Sequence, residues 1–187
     1  MTDDAGQQWS GVPGWHFTPR ALLPFQLQRR LRRTGEDPLI ELRNTYVSFP
    51  LSLVVFGLVL PLILPFRGAH SGIVWLIASG VLAVANLTVL TRFERSLPCD
   101  SEAALAAAYR SRFFLRIAFA DTTAVVGFVG AFSGTGSWVY YAAVLMALPA
   151  LLRAAPTRSA LVRDQDELTA RGCNLSLVAA IRRTPPK

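Results

Sequence analysis

The sequence predicts an all-α membrane protein: four transmembrane helices forming two hairpins, both termini cytoplasmic, with amphipathic tails on that side. Three observations predict it. Of 187 residues, 52% are hydrophobic and only 17% charged, with a mean hydropathy of +0.37. A soluble domain carries about 25% charged residues. Four segments are long and apolar enough to cross a hydrocarbon core about 30 Å thick, which takes about 20 residues. Finally, of nineteen Lys and Arg residues, only Arg67 falls in an expected outer loop. The net charge of +7 argues for a membrane chain and not a nucleic-acid binder, because long uncharged runs separate the basic residues.

Residues 1–46 are expected to form a basic cytoplasmic segment. The chain opens on MTDDAGQQWSG, without the basic and short apolar regions of a cleaved signal, and neither terminus carries a lipidation box. Between Thr18 and Thr34, Leu22, Leu23, Phe25, Leu27 and Leu31 alternate with Arg29, Arg30, Arg32 and Arg33. That pattern predicts an element lying on the inner membrane surface, where each arginine near an anionic headgroup contributes about 1 kcal/mol. Pro24 kinks it or marks its start.

The transmembrane domain is expected over residues 47–153, with spans at about 47–66, 73–91, 113–132 and 137–153. The first two contain no charge, and the third holds Arg116 and Asp121. The fourth is short and is completed by Ser137 and by Arg153 snorkelling outward. The segments are apolar around their whole circumference, which excludes amphipathic helices of a soluble bundle. Arginines before span one, between spans two and three, and after span four place those loops in the cytoplasm. This makes the chain an N-in, C-in multi-pass protein of a bacterial plasma (inner) membrane. The outer connections, Arg67 to Gly72 and Ser133 to Ser137, are glycine-rich enough for tight reversals. An offset of 70 residues aligns Phe49 with Phe119, Val55 with Val125 and Gly57 with Gly127, a pattern open to either duplication or coincidence among apolar helices.

Residues 154–187 are expected to be a helical cytoplasmic tail. Pro156 suits a first helical turn and Gly172 the position after a last one. Asp164, Asp166 and Glu167 interleave with Arg163 and Arg171, predicting a solvated mixed-charge helix. Cys99 and Cys173 both fall on the cytoplasmic side, where reduced thiols are expected. His16 and His70 have no partner at ligand spacing, so neither metal nor cofactor is expected.

One residue needs a special explanation. Asp121 is the only acidic residue in any span, about 12 Å deep at 1.5 Å per residue. An ionised Asp at a span centre costs about 2.5–3.5 kcal/mol on insertion scales, so the group is expected neutral, paired, or both. Arg116 lies about 140° around the helix, too far for an intrahelical pair, and is expected to snorkel to the inner interface. Ala120, Ala124, Gly127 and Ala131 form a small-residue stripe that lets a neighbouring helix approach. Ser79, Ala83 and Asn86 form a similar face on span two. Asn86, Thr122 or Thr123 can donate or accept a hydrogen bond at the Asp121 carboxyl.

The run from Ala118 to Val129, AFADTTAVVGFV, resembles the carboxylate helix of the ring proteolipid, subunit c, of rotary proton-translocating ATPases. In that family an alanine-rich turn carries the ion-binding acid and a glycine follows. The resemblance implies a hairpin of spans two and three with Asp121 as the ion-binding carboxylate. The span-two helix lacks the family's dense glycine repeat, and the connecting loop is far longer. The sequence contains no nucleophile–base pair, His/Cys cluster or paired intramembrane carboxylates. The expectation is therefore a non-catalytic scaffold or accessory subunit, bound to lipid and to other membrane subunits or itself and not to nucleic acid. The alternative is a proton- or cation-handling proteolipid-like protein with Asp121, Asn86 and Thr122 at the ion site.

Overall fold

The computed structural model describes residues 38–92 and 97–183. The amphipathic segment carrying Arg29, Arg30, Arg32 and Arg33 lies outside them. The described chain consists of α1 (Pro38–Ile63), α2 (Ile73–Arg92), α3 (Glu102–Gly130), a π-type turn (Ala131–Thr135), α4 (Trp138–Ala154), α5 (Arg158–Ala170) and α6 (Leu177–Arg183). No strand occurs among these residues. Two helices are long and apolar enough to cross a membrane, α1 and α3 with its π extension; α4 and α5, bent by 54°, make a third if counted as one span. The apolar part of α2, Ile73–Val89, is shorter. Around the outside stand exposed Val54, Leu58 and Leu62 of α1, Val74, Val81 and Val84 of α2, Val129 of α3, and Leu145 and Leu152 of α4. Such a continuous apolar belt is foreign to a water-facing surface.

The centre of the bundle is the α3–α4 pair. A Cβ added at Gly127 would lie 2.1 Å from Ala143 Cβ, so this glycine lets the two backbones close to contact distance. Toward the start of α3 and the end of α4, Ala120 and Ala124 share a core cluster with Ala147, Ala150 and Leu151. The pair reverses through the π-type turn, where Gly134 (φ 83°) and Gly136 (φ 93°) take the left-handed region. This turn is zipped to the α1–α2 connection by backbone bonds: Gly68 N–H to Thr135 O (2.9 Å), His70 N–H to Gly134 O (3.2 Å), and Ser137 N–H to Pro65 O (3.0 Å).

The layout of the other two helices departs from two side-by-side hairpins. α2 packs against both α3 and α4; α1 touches the same two helices more sparsely, and α1 and α2 share at most a marginal contact. α1 is instead tied on by tyrosines. Pro61 lacks an N–H and so leaves the Gly57 carbonyl without its helical donor; the Tyr141 hydroxyl donates to that oxygen. Tyr140 donates to Leu53 O at 2.7 Å, and Tyr46 of α1 donates to Leu151 O, near the end of α4, at 2.8 Å.

The largest core lies at the arginine-rich end, outside the apolar belt. Leu39, Leu42 and Tyr46 of α1, Leu105, Tyr109 and Phe113 of α3, Leu161 and Leu168 of α5, and Leu177 and Ile181 of α6 form one cluster. Ser101 caps α3, accepting from Ala104 N–H at 3.2 Å, and Thr157 caps α5, accepting from Ala160 N–H at 3.2 Å. α5 ends where Gly172 takes φ 80° and Cys173 N–H reaches back to Leu168 O. The helix expected to be solvated is thus part of a folded cap across the base of the bundle.

Three local expectations are overturned here. Asp164 is not on a solvated face: it is 1% exposed, with Arg112 and Arg116 each 3.6 Å away. Arg116 does not snorkel outward; it is buried beneath the cap, because α5 brings a carboxylate to it. Cys99 and Cys173, expected as separate reduced thiols, are joined in a disulfide with a Cα–Cα distance of 5.8 Å.

Candidate functional site

The polar groups inside the apolar zone gather at one level of α3. Asn86, 3% exposed on α2, extends its amide nitrogen to the Phe119 carbonyl and to the hydroxyls of Thr122 (3.0 Å) and Thr123 (3.2 Å). Thr122 itself donates to Phe119 O at 2.7 Å. Ser79 and Ala83 are buried on α2 with it. One amide thus binds α2 to α3 at a place where water cannot compete.

Asp121 takes no part in this network. Its Oδ1 is buried with no hydrogen-bond partner, and the side chain as a whole is only half-buried. Helical geometry explains the separation. Phe119 and Thr123 lie on the flank of α3 that meets α2, whereas Asp121 shares its flank with Phe114 and Phe128, seven residues to either side. Phe128 stacks against Phe56 of α1, with ring centroids 5.5 Å apart, so Asp121 lies on the α1 side. The structure brings Asn86 and Thr122 together and leaves Asp121 apart from both.

The small residues have separate duties. Ala120, Ala124, Gly127 and Ala131 are all buried, and Ala120, Ala124 and Gly127 pack against α4. Their counterpart is a stripe the sequence reading did not single out: Val139, Ala143, Ala147, Ala150 and Ala154, each buried along one face of α4. That stripe keeps helical spacing and was open to the same reasoning.

On the α1 side, Thr45, Ser48, Phe49 and Ser52 border a recess of about 370 Å³ with Phe114. Leu53 shares its cluster with Ala120 and Ala124, which sets Ser52 at the level of Asp121. Each hydroxyl donates to a carbonyl of its own helix: Thr45 to Glu41 O (2.9 Å), Ser48 to Asn44 O (3.0 Å) and Ser52 to Phe49 O (2.7 Å). The oxygens of Thr45 and Ser52 keep lone pairs to act as acceptors.

A second charged group is Asp164 with Arg112 and Arg116, a contact that the sequence does not reveal. Two guanidinium groups about one buried carboxylate form a structural ion cluster at the cap–bundle junction. Among the described residues, no group of three or more His, Cys, Asp or Glu could hold a metal ion. Comparison with known protein families, curated proteins and solved structures finds no match to this chain.

Proposed function

We propose that the chain is a non-catalytic scaffold or accessory subunit of a membrane complex, and that Asp121 is the point where a partner helix docks. The observation that carries this reading is the orphaned Asp121 Oδ1. The Tyr140 hydroxyl, close enough to feel the Asp121 charge, donates to Leu53 O, and on the α2 flank Asn86 is committed to α3 and Thr122 to Phe119 O. A carboxyl buried without a donor is costly in an apolar medium. The side chain as a whole is half-buried, so turning the carboxyl brings this oxygen to the surface. There a donor from a partner span relieves that cost, and the sparsely packed α1 flank leaves room for one.

In this reading the protein sits in a bacterial inner membrane with four spans and both termini in the cytoplasm. Arginines at the capped end support that orientation. α4 has 17 residues and α2 an apolar stretch of similar length, near 25 Å at 1.5 Å per residue. Both fit a bilayer that thins locally or is anchored by interfacial Trp75, Trp138 and Arg153.

A second reading keeps the ion site of the proteolipid resemblance, with Asp121 loading a proton or cation. The recess of acceptor oxygens from Thr45 and Ser52 favours it. Asp121→Asn and Asp121→Leu separate the two. A docking role predicts that Leu abolishes co-purification of a partner in mild detergent while Asn retains it in part. An ion role predicts intact assembly in both and loss of proton-dependent activity in both. Partner association indifferent to Asp121→Leu sinks the docking reading.

A further inference from the structure

We infer that the Cys99–Cys173 bond is a reversible thiol–disulfide exchange site, opened by a dithiol reductant attacking at Cys99, and not a permanent staple. The bond joins the α2–α3 connection to the turn after α5. Its two halves differ sharply in access. Cys99 is exposed, whereas Cys173 is 5% exposed within the cap core. A reductant therefore meets only the Cys99 sulfur, and exposed disulfides are the exchangeable kind.

The cap does not need this bond to stay folded. Leu97 is buried in the same core as Leu161 and Leu168. Arg171 Nη2 donates to Leu97 O at 3.1 Å, and Arg183 pairs with Glu102 at 3.0 Å. These contacts span the same junction, so opening the disulfide leaves Leu97, α5 and α6 seated.

The exchange balances as follows. A thiolate of the reductant attacks Cys99 Sγ, forming a mixed disulfide, and Cys173 leaves with the electron pair and takes up a proton. The reductant's second thiolate attacks its own sulfur in the mixed disulfide, releasing Cys99 as the second thiol. The protein gains two electrons and two protons, and the reductant becomes a cyclic disulfide. The reaction depends on neither membrane orientation nor the role of Asp121.

The test uses full-length protein in lipid nanodiscs, equilibrated with reduced and oxidised dithiothreitol at varied ratios. Samples are acid-quenched and labelled with a polymer-tagged maleimide. The expected result is no label at the oxidising end, two at the reducing end, full interconversion, and an unchanged helical circular dichroism spectrum. With one cysteine left, Cys99 in Cys173→Ser reacts at least ~10-fold faster than Cys173 in Cys99→Ser, following exposure. A bond that resists reductant until the protein is denatured overturns the inference. So do two free thiols in oxidising buffer, loss of helicity on reduction, or equal labelling of the two single-cysteine variants.

Discussion

Arg116 and Asp164 face each other at 3.6 Å across the junction of bundle and cap, the first 6% and the second 1% exposed. α3 supplies the guanidinium at the foot of the apolar zone, and α5 folds back to supply the carboxylate. The pair explains why a charged residue at the start of a span does not need to reach water.

Asp164→Ala is expected to destabilise the protein by about 3–5 kcal/mol, because it strips the shared carboxylate from buried Arg116 and half-buried Arg112. Thermal unfolding in detergent reads this as a large drop in Tm. Asp166→Ala, on the exposed side of the same helix, is the control and should stay within about 0.5 kcal/mol.

Gly127→Val should separate α3 from α4. The first added carbon already collides with Ala143 Cβ at 2.1 Å, and overpacking costs about 1–3 kcal/mol. A disulfide-trapping probe between the two helices would register the separation. Ala143→Gly in the same chain should recover part of the loss.

Tyr141→Phe removes the hydroxyl that donates to the Gly57 carbonyl left open by Pro61, at a cost of about 1 kcal/mol. In a Pro61→Ala background the new N–H at position 61 takes that carbonyl, so the same substitution should cost less. A double-mutant cycle on unfolding free energies measures the difference. Equal costs in both backgrounds would remove the tyrosine from this role.

Asn86→Leu should loosen α2 from α3 by about 0.6–1.7 kcal/mol, the range for hydrogen bonds between spans. The check is faster hydrogen exchange at the backbone amides of α2. If exchange in α2 is unchanged, the three-way contact of Asn86 does not hold the pair.

The helical, apolar architecture was legible because it follows from composition and run length. The runs around Val54 and Val81 are apolar on every side, a pattern that belongs to a membrane span or to the core of a large protein. What was hidden depends on contacts distant in sequence. Asp164 sits in a mixed-charge run that resembles any solvated helix; only the return of α5 onto Arg112 and Arg116 makes it a buried group. Cys99 and Cys173 carry no local mark of pairing, since nothing near either one indicates that the α2–α3 connection meets the end of α5. At the candidate site, Asn86 and Thr122 were identified from residue type and depth. Their separation from Asp121 follows from a helix rotation of about 100° between adjacent residues: once the Thr123 flank meets α2, Asp121 must face α1. Sequence spacing leaves open which flank meets which neighbour.

The most direct test of the docking role places a photo-crosslinking amino acid at Phe114, which is 46% exposed beside the recess below Asp121. Full-length protein is irradiated in its native membranes, with and without Asp121→Leu. The account predicts one discrete polypeptide adduct that disappears in Asp121→Leu and persists in a control substitution at exposed Leu145. An adduct formed equally well without the carboxyl, or crosslinking to lipid alone, would contradict it.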